Sequence, residues 1–225
     1  MKFNIDTMQQ ENINITWQQV SLIERFSSVL YPLDLVELLR ILPTIGFVVP
    51  DISRAGVQDI LNPIAHKGNI GLVVNRDNKT IGVKGLQIEE VIESYIELRS
   101  FYTERLDPSD GLHTQYIEFQ GDGWAKSNNN PLNVFSSFWE NGRQLKELAN
   151  VINLPISNFG VQLVTPNKDP NDPEWFQFII DPLIPSASKR YRIRCVWRGV
   201  DIKRLLKEFS RINNMLLRLI NKLEE

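Results

Sequence analysis

Val83-Lys84-Gly85-Leu86-Gln87-Ile88-Glu89-Glu90-Val91-Ile92-Glu93-Ser94-Tyr95 has a counterpart in Trp197-Arg198-Gly199-Val200-Asp201-Ile202-Lys203-Arg204-Leu205-Leu206-Lys207-Glu208-Phe209. Each copy reads as the end of a strand, a basic residue, a glycine and an amphipathic helix. Glycine suits such a corner because it reaches backbone angles closed to other residues. One copy alone is an ordinary strand-to-helix junction. Two in one register indicate a duplicated fold.

Working outward, a second matched pair supports the same conclusion. Pro32-Leu33-Asp34-Leu35-Val36 and Pro131-Leu132-Asn133-Val134-Phe135 each open a helix, at a position where the missing proline N–H costs nothing. Before the first, Ile13 to Phe26 alternates and then breaks its alternation, which predicts a strand with a bulge. Between the first proline helix and Gly85 lie a short strand at Gly46–Val49, an irregular stretch over 51–68 with a helical turn at Val57–Leu61, and a hairpin. The hairpin pairs Ile70–Val74 with Thr80–Val83 around Asn75-Arg76-Asp77-Asn78. The second half repeats the order. Gln115–Gln120 is a strand, Gly121-Asp122-Gly123 a turn, and Asn141-Gly142 an interruption of the second proline helix. Phe159–Thr165, Trp175–Asp181 and Arg190–Arg198 are strands. The landmarks are further apart in the second half, and the added residues are expected within the proline-bearing loops of 166–188, since loop insertions are entropically cheap.

The expectation is therefore an α+β fold of two β-α-β-β-β-α repeats, residues 13–106 and 112–225. They pack about a pseudo-twofold into one curved antiparallel sheet with the long helices on one face. This element order, with the two matched signatures, resembles the TATA-binding-protein-like duplicated folds. The resemblance spans nearly the whole chain and implies that the sheet face away from the helices is a concave binding surface. It carries no family motif, so no DNA-contacting residue transfers to this sequence, and fold analogy does not supply a ligand.

Composition bounds the function. A chain of 225 residues with 42% hydrophobic and 23% charged residues is ordinary for a folded protein with a proper core. Its formal charge of -2 argues against a generic polyanion binder. The single Cys195 excludes an internal disulfide and a cysteine-rich metal site. Met1–Asn12 is polar and unlike a signal peptide, and no stretch has the length of a transmembrane helix, so a cytoplasmic location is expected. His66 and His113 stand outside any metal-ligand spacing and pair with no nucleophile for a triad. No cofactor, metal or catalytic residue is assigned, and the reading leans against an enzyme. Glu118, Asp122 and Asp181 are noted as acids that nothing in their spacing unites.

Three features carry functional readings. In the last strand Tyr191, Ile193, Cys195 and Trp197 fall on one face and Arg190, Arg192, Arg194 and Arg198 on the other. This places guanidinium groups about 7 Å apart, able to track phosphates. The same pattern also describes a solvated face guarded against edge pairing by charge. The apolar face gives Cys195 a packing role. In the final helix, read as unbroken from Val200 to the C-terminus and about 39 Å long, Ile202, Leu205, Phe209, Ile212, Leu216, Leu219 and Leu223 form a heptad seam. Leu219 and Leu223 near its end are candidates for reaching a partner. Finally, Glu89, Glu93 and Glu97 line one edge of the first long helix, while Lys203, Lys207 and Arg211 line the corresponding edge of the last. Opposite stripes suit helix pairing within or between molecules. Two functions follow. One is a non-catalytic interaction or assembly protein, with a protein partner or self-association, acting through the long helices and open sheet face. The other is nucleic-acid binding through strand 190–198. No membrane partner is expected.

Overall fold

The computed structural model of the chain describes residues 14–50, 63–106, 111–139, 143–152, 158–183 and 189–225. Strand β1 (Ile15–Phe26) and the helix α1 (Leu35–Ile41) precede β2 (Ala65–Lys67), β3 (Ile70–Asn75), β4 (Thr80–Gly85) and the long helix α2 (Ile88–Leu106). Then come β5 (Thr114–Lys126), α3 (Pro131–Trp139), α4 (Arg143–Ile152), β6 (Val161–Val164), β7 (Phe176–Pro182), β8 (Arg190–Gly199), α5 (Ile202–Phe209) and α6 (Ile212–Glu224). The fold is α+β, with all eight strands in one antiparallel, open, curved sheet of order β2-β3-β4-β1-β5-β8-β7-β6. From each edge inward, that order is the second, third, fourth and first strand of each half. The proposed helical turn at Val57–Leu61 lies outside the described residues.

Two long central strands hold the halves together. β1 and β5 pair along nearly their whole lengths, with Leu22 opposite Phe119 at the centre and a register shift between Trp17 and Gln19. That shift is the bulge expected from the broken alternation. Alternate residues Val20, Leu22 and Phe26 of β1, Ile81 and Val83 of β4, Ile117 and Phe119 of β5, and Tyr191, Ile193 and Cys195 of β8 are buried. They form one core with Val91, Tyr95, Leu98 and Tyr102 of α2 and Leu205, Phe209, Ile212 and Leu216 of α5 and α6. Burial of this kind is worth about 25 cal/mol per Å² of apolar surface and dominates folding.

Gly85 and Gly199 play matching parts, for a reason different from the one expected. Neither has the positive φ that Gly46, Gly68 and Gly111 show. What each supplies is space. A Cβ on Gly85 would sit 3.1 Å from Val91 Cγ2 and 2.6 Å from Ile70 Cδ1, and one on Gly199 would sit 2.8 Å from Leu205 Cδ1. In both copies the first turn of the helix rests on the strand end, six residues on from its glycine. The pairing of Val20 with Gly85 and of Ile117 with Gly199 extends the match into the central strands. Aligning the glycines brings Leu22 onto Phe119, the pair that faces itself across the sheet centre.

Several local expectations are corrected. Gly121-Asp122-Gly123 is the middle of β5, not a turn. Its glycines make room for Trp17: a Cβ would stand 2.6 Å from Trp17 Cζ3 at Gly121 and 2.9 Å from Trp17 Cε3 at Gly123. Pro32 precedes α1 without opening it. Asp34 is the N-cap, accepting from the N–H groups of Val36 and Glu37, as the Asn130 side chain accepts from Leu132 N–H at the start of α3. On α1 Leu38 is buried and Val36 exposed. After α1 the chain continues as the 3-10 turn Leu42–Ile45, with Pro43 in its first turn. Of the strand expected at Gly46–Val49 only a bridge from Val48 to His66 forms. The position mirroring β6 belongs to β2. The last helix is broken between Phe209 and Ile212, where Ser210 Oγ donates to Lys207 O at 2.8 Å and competes with the helical ladder. Among the described residues no helix is long and apolar enough to cross a membrane.

Candidate functional site

Helices α2, α3 and α5 pack on one face of the sheet, and the other face presents side chains of opposite parity. In β8 this parity is the expected one: Tyr191, Ile193 and Cys195 are buried, and Trp197 joins a cluster with Phe176, Phe178 and Phe209. Burial pushes the Cys195 thiol up, away from reactivity. The four arginines lie on the open face, and each is already engaged. Arg198 donates from Nε at 2.7 Å and from Nη2 to Glu118, and from Nη1 to Pro170 O at 2.6 Å. Its guanidinium also lies over the Tyr116 ring. Arg198 therefore pins the proline-bearing loop to the sheet. Arg194 Nη2 contacts Asp181 at 3.0 Å and Arg192 Nη2 contacts Asp122 at 3.2 Å. Arg190 stacks on Trp124 with its Cζ 4.2 Å from the ring centre. Glu118, Asp122 and Asp181, which no spacing in the chain connects, thus line the arginine row together, drawn from β5 and β7 on either side of β8.

These pairs differ in worth. Arg198 and Glu118 have side chains only 12% and 9% exposed, so their bond is close to a buried one. Arg192 and Asp122 are 43% and 40% exposed, and pairs of that kind contribute about 0–1 kcal/mol. Asp122 Oδ1 and Arg194 Nε, on directly opposed residues of β5 and β8, are buried without a hydrogen-bond partner among the described residues.

Two adjoining depressions of the open face share Gln19 and Gln120 as a common wall. One, over β5, β8 and β7, includes Asp122, Gln177, Ile179, Arg194 and Val196. The other, over β1, β4 and β3, includes Ser21, Ile23, Arg25, Thr80, Lys84 and Tyr116. In the register set by Gly85 and Gly199, Arg25 corresponds to Asp122 and Thr80 to Arg194. The two hollows therefore occupy mirrored places and carry different charge.

Behind the sheet, Glu24 sits on the core face of β1 and is 1% exposed. It accepts from Tyr95 Oη at 3.0 Å, Arg99 Nε at 3.2 Å, Tyr102 Oη and Thr114 Oγ1. Burial, and then the neighbouring carboxylate, push both tyrosine hydroxyls well above the ordinary phenol range. Four donors converging on a buried carboxylate satisfy the condition for keeping it there.

The helix stripes do not meet within the chain. α2 packs over β4, β1 and β3, and α5 over β5 and β8. Glu89 and Glu93 are exposed, Glu97 is paired with Lys67 Nζ at 2.5 Å, and Lys203, Lys207 and Arg211 are exposed. No ion pair joins the two stripes among the described residues. Leu219 and Leu223 are half-buried against the chain's own core. The end of α6 is tied down as well, with Glu224 accepting from Tyr191 Oη at 3.0 Å and from Ser127 Oγ.

Sequence reasoning missed Glu24, Arg25, Gln19 and Gln120. The signal for Glu24 is its place on the apolar parity of Val20, Leu22 and Phe26, where a charge demands partners. Arg25, Ile23, Ser21 and Gln19 share the other parity and form the polar row that follows from it. The chain matches no protein-family model and none of the curated proteins.

Proposed function

We propose that the chain is a non-catalytic interaction protein whose open sheet face receives a protein partner. The observation that carries this reading is that the arginine row is neutralised in place. Three of its four guanidinium groups face carboxylates. Phosphate tracking needs cations that release counterions when they meet the polymer, and cations already held by carboxylates gain less from the exchange. The remainder of the face, with the amides of Gln19, Gln120 and Gln177 among Ile23, Ile179 and Val196, suits the mixed polar and apolar chemistry of a non-obligate protein interface. The mirrored strand order supports a duplicated, TATA-binding-protein-like architecture in which this face is the binding surface. The exposed stripes Glu89/Glu93 and Lys203/Lys207/Arg211 add a route to head-to-tail self-association.

The test places a photo-crosslinker at Gln120, at Ile179 and, as a control, at Ser100 on the outer side of α2. The first two are expected to give the same discrete protein adduct in a native extract and the third none. Equal adducts from all three, or none from the sheet face, would overturn the reading. Nucleic-acid binding is the second reading, favoured by Arg190 stacked on Trp124. It predicts salt-dependent retention on a nucleic-acid column. When Arg190, Arg192 and Arg194 become glutamine, the salt slope should fall by about one unit for each phosphate no longer engaged.

A further inference from the structure

We propose that the depression over β1, β4 and β3 binds a small molecule through an oxyanion, a carboxylate or a phosphate, with Arg25 as the anchor. Its volume, about 320 Å³, falls within the range of small-molecule sites. Arg25 and Lys84 bring cationic side chains to it, Ser21, Thr80 and Tyr116 bring hydroxyls, and Ile23 contributes an apolar surface. Among the described residues the one acid on its wall, Glu118, is held by two nitrogens of Arg198 and by Gln120 Nε2, so its charge is already answered.

Arg25 differs from its neighbours on this face. Its Nη1 donates to Tyr116 Oη at 3.2 Å and its Cζ lies 5.8 Å from that ring centre. A phenol stands where Arg192, Arg194 and Arg198 have carboxylates. A guanidinium carries five donors in a planar fork, and an oxyanion is the group that fork fits best. The mirrored depression shows that this character is not imposed by the sheet. There Asp122 occupies the register of Arg25, and the cation present, Arg194, is tied to Asp181. One hollow sets a guanidinium beside a phenol and the other sets a carboxylate at that register, on the same backbone frame.

The inference is separable from the partner reading. It concerns a ligand under one side of the face, and is tested on the full chain alone. Amide NMR spectra would be followed during titration with inorganic phosphate in one arm and acetate in the other, at constant ionic strength. Saturable shifts confined to residues around Arg25, Thr80 and Lys84 are expected in at least one arm, and the arm that saturates assigns phosphate or carboxylate. Arg25→Met should weaken binding about tenfold or more, the equivalent of one charge-assisted hydrogen bond. Val73→Trp, which fills the hollow without touching its charge, should weaken it too and serves if Arg25→Met folds poorly. Arg192→Met should leave it unchanged. Absence of saturation in both arms would overturn the proposal. So would shifts spread equally over Lys203 and Lys207, or affinity unaltered by both Arg25→Met and Val73→Trp.

Discussion

Beneath α2 the sheet buries a carboxylate; beneath α5 and α6, at the matching register, it buries an indole over a glycine. With Gly85 set on Gly199, Glu24 falls on Gly121, Tyr95 on Phe209, Arg99 on Asn213 and Tyr102 on Leu216. The burial is the same at all four of the α2 core positions Val91, Tyr95, Leu98 and Tyr102 and at Leu205, Phe209, Ile212 and Leu216. The chemistry is not. In the first half two phenols, a guanidinium and a threonine hydroxyl converge on Glu24. In the second, Trp17 occupies the space left open by Gly121 and Gly123, and its indole N–H donates to Asn213 Oδ1 at 2.9 Å. A directional polar cluster fixes where α2 lies along its strand. Apolar packing is less particular, and it is the second half whose helix is broken. Backbone frame and core chemistry are thus separable here: one frame accommodates both solutions.

The largest effect should come from the polar side of this comparison. Glu24→Ala leaves two buried hydroxyls and Arg99 without their acceptor, and breaking a buried charged cluster in this way costs about 3–5 kcal/mol. Urea denaturation should show the loss, and native-state hydrogen exchange should locate it first in α2. Replacing Glu24, Tyr95, Arg99 and Tyr102 together by Leu, Phe, Met and Phe should recover most of it, because well-packed apolar substitutes for a buried ionic cluster are often neutral. If Glu24→Ala unfolds no more readily than wild type, the cluster does not position the helix. The same residues set an alkaline limit. Tyr95 and Tyr102 are held above their ordinary value of 10.0 in the folded chain. Above that pH the unfolded chain loses protons that the folded chain keeps, so stability is whole below it and falls as pH climbs towards the folded values. Urea midpoints measured on either side of pH 10.0 check the sign. Tyr191, which donates to Glu224 at the end of α6, and Cys195 of β8 are raised by burial as well, so the alkaline loss of stability is expected in both halves.

Intermediate effects test the match itself. Gly85→Ala and Gly199→Ala each crowd a packed contact and should cost about 1–3 kcal/mol. A double-mutant cycle should couple Gly199→Ala to Leu205→Val, and Gly85→Ala to Val91→Ala, by at least about 0.5 kcal/mol in the direction of rescue. The crossed combination, Gly199→Ala with Val91→Ala, should be additive. Coupling in only one half would show that the two corners are alike in sequence and not in packing.

The architecture was legible because period-two and period-3.6 patterns record which side of an element is buried. Strand 190–198 was read correctly for that reason, and the paired glycines located both strand-to-helix corners. The role of those glycines was not legible, since relief of crowding by a residue six positions on leaves the same mark as a turn. Gly121-Asp122-Gly123 misled for a related cause: its glycines answer to Trp17, more than 100 residues away in the chain. Pro32 misled because a cap depends on which side chain reaches the free N–H groups, and Asp34 does so two residues later. The site was the least legible part. Alternation told which side Arg192 and Arg194 would take, but their acids come from β5 and β7, and strand order alone decides that. The break at Ser210 is visible only through a side chain bonding back to Lys207 O.

The smallest expected change in stability tests the outer-face difference most directly. Asp122 is 40% exposed and its pair with Arg192 spans 3.2 Å, so Asp122→Asn should shift stability by only about 0–1 kcal/mol. Its electrostatic consequence should be larger than its energetic one. The substitution removes the carboxylate that answers Arg192 and that stands directly opposite Arg194 on β5. The compensated hollow then takes on the cationic character of the mirrored one around Arg25. Asp122→Asn should therefore elute later than wild type from a heparin column at low salt, and the gap should close as salt screens exposed charge. Glu118→Gln makes the same change in net charge at a site where Arg198 is also held by Pro170 O and by the Tyr116 ring. It should destabilise more, by about 1.5 kcal/mol for the missing charge-assisted bonds, and increase retention less. If the two substitutions lengthen retention equally, the column reads net charge alone. The difference between the hollows then has no bearing on what the open face binds.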